Sequence, residues 1–300
     1  MTRRRFAVVF VVAAWNATIS GCSRSAIPQP PERPAEDVVG ALMFKVRGPD
    51  ADHESFLLGT HHAFGGGFIA AIPGLGHVMN QVDTVVTETG ATSGRAAADV
   101  INARTSTTPW PRYLDRERRD FVRGLLSASE IDLDKLTPAE LSSALFRHYA
   151  MTVCEARVSA DRGGSFDEAL AAEAEAAGKR VVGLETTEDQ LELIRADVEG
   201  MPAKVHRRRL RALISMIVGR DAANCGEVVE YRAMRLDYAW SRPCTNALVL
   251  TDRNARWLAQ IEPMLASGPT LVAVGQGHLK FECGLVEQLR AAGYVVTPVL

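Results

Sequence analysis

The pattern of apolar and polar positions contains one arrangement twice: an apolar run that ends in Gly-x-x-His. It occurs at residues 56–62, which end in His62, and at residues 270–278, which end in His278. Each run predicts a buried strand, and its glycine permits a tight exit from the sheet. Because ligand sites in α/β sheets lie at the carboxyl ends of strands, the repetition predicts one site shared by both histidines. A hydrogen-bonded loop histidine is the alternative for either motif alone.

Further apolar runs predict the other strands of the sheet, and two of them end in a glutamate. These runs are residues 41–46, 82–87, 180–184 and 294–299. Glu88 follows the second run and Glu185 follows the third, so each carboxylate is expected at the carboxyl end of a strand. A solvated acid just beyond the strand is the alternative interpretation of Glu88.

The middle of the chain predicts helices. Capping-box sequences begin at Thr137 and at Ser165, and the first of these helices is expected to extend to about residue 156. Residues 201–265 predict three consecutive helices and no strand, whereas residues 91–109 predict a loop. Three glycines at 65–67 predict a mobile loop over the site.

These elements together predict the fold class. The last strand, helix and strand of the chain have the length of a βαβ crossover, which indicates parallel pairing. We therefore expect a single α/β domain with a central mixed β-sheet, surrounding helices and a helical insertion in the middle.

The amino terminus predicts export and a lipid anchor. Residues 1–21 combine three arginines with an apolar stretch that is too short to span a membrane dependably, which is typical of a signal peptide. The sequence Ile-Ser-Gly before Cys22 resembles a bacterial lipobox, in which the cysteine is lipidated. An ordinary secretory signal with a chance cysteine is the alternative. Residues 22–37 predict a proline-rich tether and residues 38–300 the domain. We expect a cell-envelope protein attached to the membrane on the periplasmic side, at the outer membrane.

Composition and charge limit the classes of partner. With 47% hydrophobic and 23% charged residues the chain is globular, and its net charge of −2 gives no reason to expect a nucleic acid as partner. Four cysteines follow Cys22, without CxxC spacing, so neither a zinc knuckle nor a thioredoxin-type motif is supported. In an exported chain they allow two disulfides in three pairings, with free buried thiols as the alternative.

Asp252, Arg253 and Asn254 form a polar cluster among apolar positions of a predicted helix. If they are buried they need hydrogen-bond partners, because an unpaired buried polar group is unfavourable. Exposure on the helix surface is the alternative.

Taken in order, these motifs resemble the TraB/GumN family, which includes the TIKI-type proteases, over roughly residues 40–300. The matching segments are residues 57–62, 85–88, 166–179, 183–186, 190, 253–254, 274–279 and 293–294. The chain departs from the family at His61, where an aliphatic residue is more usual. It departs again at residues 280–283, which replace a turn of small residues, glycine and proline.

The resemblance implies a metal-dependent hydrolase of the cell envelope that acts on peptide bonds of a peptide or protein substrate. His62 and His278 would be ligands of a divalent metal ion, with Glu88 as a third ligand or as the base that activates water. Arg253 and Asn254 would hold a carboxylate, orient a ligand or stabilise developing negative charge. The alternative is a non-enzymatic lipoprotein that binds haem, a metal or a protein through the same pocket.

Overall fold

The structure is a computed structural model that describes residues 38–49, 51–90, 97–155 and 165–299. The predicted signal peptide, Cys22 and the proline-rich tether at residues 22–37 lie outside the described residues. Among the residues described, none of the helices has the length and apolar character needed to cross a membrane.

A mixed six-stranded sheet forms the centre of the fold, as predicted. Its strands and those of a separate two-stranded sheet are β1 (Val38–Val39), β2 (Met43–Arg47), β3 (Ser55–Thr60), β4 (Thr84–Thr87), β5 (Arg180–Gly183), β6 (Leu236–Asp237), β7 (Thr270–Gly275) and β8 (Val295–Pro298). The central order is β5-β4-β7-β3-β2-β8, and β1 pairs with β6. β2 is antiparallel to β3 and β8, whereas β3, β7, β4 and β5 form parallel pairs. Parallel pairs are therefore present as predicted, but β7 and β8, the two strands of the predicted crossover, are not neighbours, because β8 pairs with β2.

The helices pack around this sheet. They are α1 (Leu75–Gln81), α2 (Ala97–Asn102), α3 (Arg116–Leu126), α4 (Pro138–Tyr149), α5 (Phe166–Ala176), α6 (Thr187–Ala196), α7 (Ala203–Gly219), α8 (Gly226–Arg232), α9 (Asp252–Ser267) and α10 (Leu285–Ala291). The predicted capping boxes at Thr137 and Ser165 are both formed, because each side chain accepts the N–H of the glutamate three residues later.

Three local predictions are wrong. Residues 91–109, expected to be a loop, contain α2, and two of the three glycines expected in a loop lie inside a 3-10 helix, Gly66–Ala71. The region 201–265 contains the short strand β6, which forms because β1 lies beside it. The helix expected to reach about residue 156 is confirmed, because it continues after Tyr149 as a π-helix, Ala150–Cys154.

Two hydrophobic clusters confirm the predicted helical insertion. The main cluster surrounds the sheet, and every residue of β3 is buried. The second cluster consists of helical and loop side chains from Ala97 to Cys225 and contains no strand of the sheet. A helical layer with its own apolar centre therefore packs beside the sheet.

The four later cysteines form two disulfides, Cys154–Cys225 and Cys244–Cys283. This confirms the expectation of two bridges and selects one of the three pairings, so the free-thiol alternative is wrong. The first bridge joins the π-helix after α4 to the start of α8. The second joins the segment before α9 to the loop that follows β7.

Candidate functional site

Four neighbouring parallel strands deliver ionisable side chains to one edge of the sheet. His62, Glu88 and Glu185 follow the carboxyl ends of β3, β4 and β5, and His278 lies in a 3-10 helix directly after β7. The backbone N–H of Glu185 donates to the carbonyl oxygen of Glu88 at 2.9 Å, which extends the β4–β5 pairing and aligns the two glutamates. The pattern of apolar runs therefore places these four residues on the same edge.

Arg253, in the first turn of α9, is the buried cation between the two glutamates. Only 1% of its side chain is exposed, so the predicted alternative of surface exposure is wrong for this residue. Its Nη2 donates to Oε2 of Glu88 at 2.9 Å and to Oε2 of Glu185 at 2.8 Å, and its Nε also donates to Glu185. The guanidinium lies 4.3 Å from the ring centre of Trp257. Arg253 therefore connects the ends of β4 and β5.

The contacts of His278 fix its tautomer. The Nη1 of Arg253 lies 2.9 Å from Nε2 of His278, and because a guanidinium only donates, Nε2 accepts. Nδ1 therefore carries the proton and donates to Oδ1 of Asn254 at 2.6 Å. Burial and the adjacent Arg253 charge lower the pKa of His278 to about 3, so the ring is neutral. Asn254 is itself fully buried, contrary to the alternative of exposure, whereas Asp252 is exposed.

Glu88 is buried as a carboxylate. Burial alone would raise its pKa, but the charge of Arg253 and the N–H of Gly275 contribute to an opposite effect that is larger, and the pKa lies below its usual value. Oε1 accepts the Gly275 N–H at 2.7 Å, and Oε2 accepts from Arg253 and from Gln190. A Cβ at position 275 would lie 2.9 Å from Oε1 of Glu88. The close approach of this carboxylate to the backbone therefore requires glycine.

His62 lies beside a second buried carboxylate, Asp167, at the start of α5. Nδ1 of His62 is 3.4 Å from Oδ2 of Asp167, and the exposed fractions of the two side chains are 15% and 8%. Burial and the nearby Glu88 charge raise the pKa of Asp167 to about 7, against the smaller effects of Thr60 and Arg147. An imidazole beside an acid whose pKa lies near neutral pH can take part in proton transfer.

A cavity of about 230 Å³ opens above this strand edge. Its polar wall includes His62, Glu88 and His278, so the structure brings together the three residues predicted as ligands. Arg253 and Asn254 do not line it and reach it only through Glu88 and His278. The remaining lining residues are Thr60, His61, Ala63, Phe146, Arg147, Ala150, Glu227, Val249, Leu250, Gly275, Gln276, Gly277, Lys280 and Phe281.

Two further residues at this site have no functional role assigned from the sequence. Asp167 was predicted only as part of a capping-box segment and as a match to the family, although its carboxylate lies beside His62. Arg147 lies inside α4, is 8% exposed and lines the cavity. A charged residue among the apolar positions of a helix was the available signal, but periodicity alone does not show which cavity such a residue meets.

As the side chains lie, the predicted metal-ligand set does not fit a metal ion. Both nitrogens of His278 and both oxygens of Glu88 take part in hydrogen bonds. The fixed positive charge of Arg253 contacts both groups and disfavours a second cation there. Across the described ranges, no group of three histidine, cysteine, aspartate or glutamate side chains has the arrangement to hold a metal. The metal ion stays a prediction, and no chemical step is derived through it.

Comparison with known proteins agrees with the resemblance seen in the motifs. The model of the TraB/PrgY/gumN family matches residues 42–298, which is nearly the whole chain. No curated protein and no solved structure matches the chain. The chain therefore belongs to the TraB/PrgY/gumN family.

Proposed function

We propose that this protein is a hydrolase of peptide bonds whose active site is the cavity above the sheet edge. The observation that carries the proposal is the pairing of His62 with Asp167 at the wall of a cavity that also contains Glu88 and His278. A partly exposed imidazole beside a buried acid is suited to general acid–base chemistry. Membership of a family that includes TIKI-type proteases agrees with a peptide or protein substrate.

In the proposed reaction His62 accepts a proton from the water that attacks the substrate carbonyl. Asp167 lies 3.4 Å from Nδ1 of the ring, and its carboxylate stabilises the positive charge that His62 gains with the proton. Arg147 lines the same cavity and supplies positive charge where the carbonyl oxygen becomes negative. His62 then returns the proton to the leaving amine, which completes hydrolysis.

Glu88, His278, Arg253 and Asn254 serve as the supporting structure of this site. The lowered pKa of Glu88 makes it a weak base near neutral pH, and its hydrogen bonds fix it in place. Arg253 holds the carboxylates and Asn254 orients His278, so both are positioning residues in this proposal. Because the ligand set does not fit a metal ion as it lies, we expect a chelator to leave the hydrolytic rate unchanged, and metal analysis of the purified protein checks this.

The alternative to a hydrolase is a non-enzymatic protein that binds a protein partner at this cavity, because the predicted ligand set does not fit a metal ion as its side chains lie. Haem is less compatible with the cavity, because about 230 Å³ is below the range of roughly 300–1,000 Å³ that is usual for sites of drug-sized ligands. In addition, both nitrogens of the buried His278 ring are hydrogen-bonded.

The His62→Ala variant tests the proposed activity. We expect its hydrolytic rate on a peptide library to fall about 100-fold or more, because a general base contributes at least that much. The matched control is His77→Ala, which removes an exposed histidine on α1 and should leave the rate within about twofold. Equal rates in the parent and the His62→Ala variant would contradict the proposal, and absence of hydrolysis in the parent would favour the binding alternative.

We also propose that Cys22 is lipidated and attaches the domain to the cell envelope. The support is the basic, apolar and Ile-Ser-Gly-Cys order of residues 1–22. Metabolic labelling with a fatty-acid analogue should mark the parent and leave Cys22→Ala unmarked. Equal labelling of both proteins would exclude lipidation at this residue.

A further inference from the structure

Phe281 has a backbone conformation that suits glycine better than phenylalanine. Its φ is 69°, in the left-handed region, where a bulky side chain is uncommon and the conformation is strained. It is the aromatic residue among the five non-glycine residues with positive φ in the described part of the chain. Such an outlier persists only where its surroundings fix it, and its position next to a cavity points to a function.

Three connections fix the loop that carries Phe281. The N–H of Phe281 donates to the carbonyl oxygen of Tyr238 at 2.8 Å. The N–H of Glu282 donates to the carbonyl oxygen of Arg242 at 3.1 Å. The next residue, Cys283, is bonded to Cys244. These contacts hold the strained turn in place and direct the ring towards the cavity wall.

The ring belongs to a small apolar cluster that is separate from both large ones. Val249 and Leu250, in the π-helix Ala247–Thr251, pack with the Cys244–Cys283 bridge and with Phe281. Val249, Leu250 and Phe281 all line the cavity whose other wall carries His62 and Glu88. One cavity therefore has a polar wall at the strand ends and an apolar wall formed by this cluster.

We propose that Val249, Leu250 and Phe281 form a subsite for an aliphatic or aromatic side chain of the peptide substrate. This inference rests on the proposed function for the identity of the substrate as a peptide. A cavity of about 230 Å³ is smaller than sites for drug-sized ligands, and it suits a group of side-chain size. An apolar side chain of the substrate would be removed from water at this wall, while the substrate backbone meets the polar wall. This burial is the physical basis for a preference for apolar side chains.

The test measures binding and does not depend on hydrolysis. The probes are N-acetyl-leucinamide and N-acetyl-asparaginamide, which are uncharged and nearly the same shape, titrated into the full-length protein and followed by nuclear magnetic resonance. We expect the parent to bind the leucine probe about tenfold or more tightly than the asparagine probe. Phe281→Gly keeps the left-handed backbone without strain, removes the ring, and should abolish most of this preference.

Glu130→Gly is the matched control, because Glu130 also has a positive φ of 58° and lies outside the cavity. It should keep the parental preference for the leucine probe. The inference is overturned if the parent does not prefer the leucine probe, or if Phe281→Gly retains the full preference while remaining folded. If the parent prefers the leucine probe but hydrolyses no peptide, the subsite is supported and only the proposed reaction is contradicted.

Discussion

Replacement of Arg253 by alanine should lower the free energy of unfolding by about 3–5 kcal/mol, the usual loss when a buried ion pair keeps only one partner. The side chains of Glu88 and Glu185 are each 8% exposed, and both carboxylates would then be buried without their common cation. Nε2 of His278 would also lose its donor. Chemical denaturation monitored by circular dichroism measures the change. Arg253→Lys should recover only part of the loss, because an ammonium cannot reproduce the planar set of donors.

Arg256→Ala is the matched control for Arg253→Ala. Arg256 lies on the same helix and 4.0 Å from Glu185, but 58% of its side chain is exposed. Solvent screens an interaction of this kind, so we expect a change within about 0.5 kcal/mol. Similar losses in the two variants would contradict the claim that burial of the carboxylates determines the effect.

The location of the site could be predicted because it depends on the pattern of apolar and polar residues within short segments of the chain. Apolar runs predict the strands, and the residue directly after a parallel strand must lie at its carboxyl edge. His62, Glu88, Glu185 and His278 were located in this way, and the structure places all four at one edge. The capping boxes could be predicted for the same reason, because each depends only on a side chain and a backbone N–H three residues later.

What could not be predicted depends on contacts between residues that are distant in the chain. Arg253 was recognised as part of a polar cluster, but its placement between Glu88 and Glu185 depends on how α9 packs against the sheet. The pairing of the cysteines was undetermined for the same reason. The short strand β6 exists because β1 lies beside it, which no local propensity indicates.

Asp167→Asn should stabilise the protein at alkaline pH. Asp167 has a pKa of about 7 in the folded chain and 3.8 without the fold, so the native state binds its proton more tightly. Its contribution to stability is therefore complete below about pH 4, declines as pH rises, and is lost above about pH 7. Asparagine cannot ionise and avoids this loss. The difference between the pKa values, about three units, corresponds to a gain on the order of 4 kcal/mol at pH 8.

Unfolding measured at several pH values checks this expectation with Asp189→Asn as the control. The pKa of Asp189 is lowered because Thr186 donates hydrogen bonds to its carboxylate, so its contribution is complete above about pH 4. The difference between parent and Asp189→Asn should thus stay constant from about pH 5 to pH 8. The gain from Asp167→Asn should grow over the same interval. A constant difference for Asp167→Asn would show that its carboxyl is not protonated in the native state.

The same Asp167→Asn variant should lose activity while it gains stability. An amide can still contact His62, but it cannot stabilise the imidazolium that forms when His62 takes a proton. We therefore expect kcat/KM to fall by about tenfold or more at pH 8, where the variant is most stabilised relative to the parent. Opposite changes in stability and rate would separate a functional acid from a structural one, because loss of folding cannot produce them. Parental kcat/KM in the stabilised variant would exclude Asp167 from the proposed reaction.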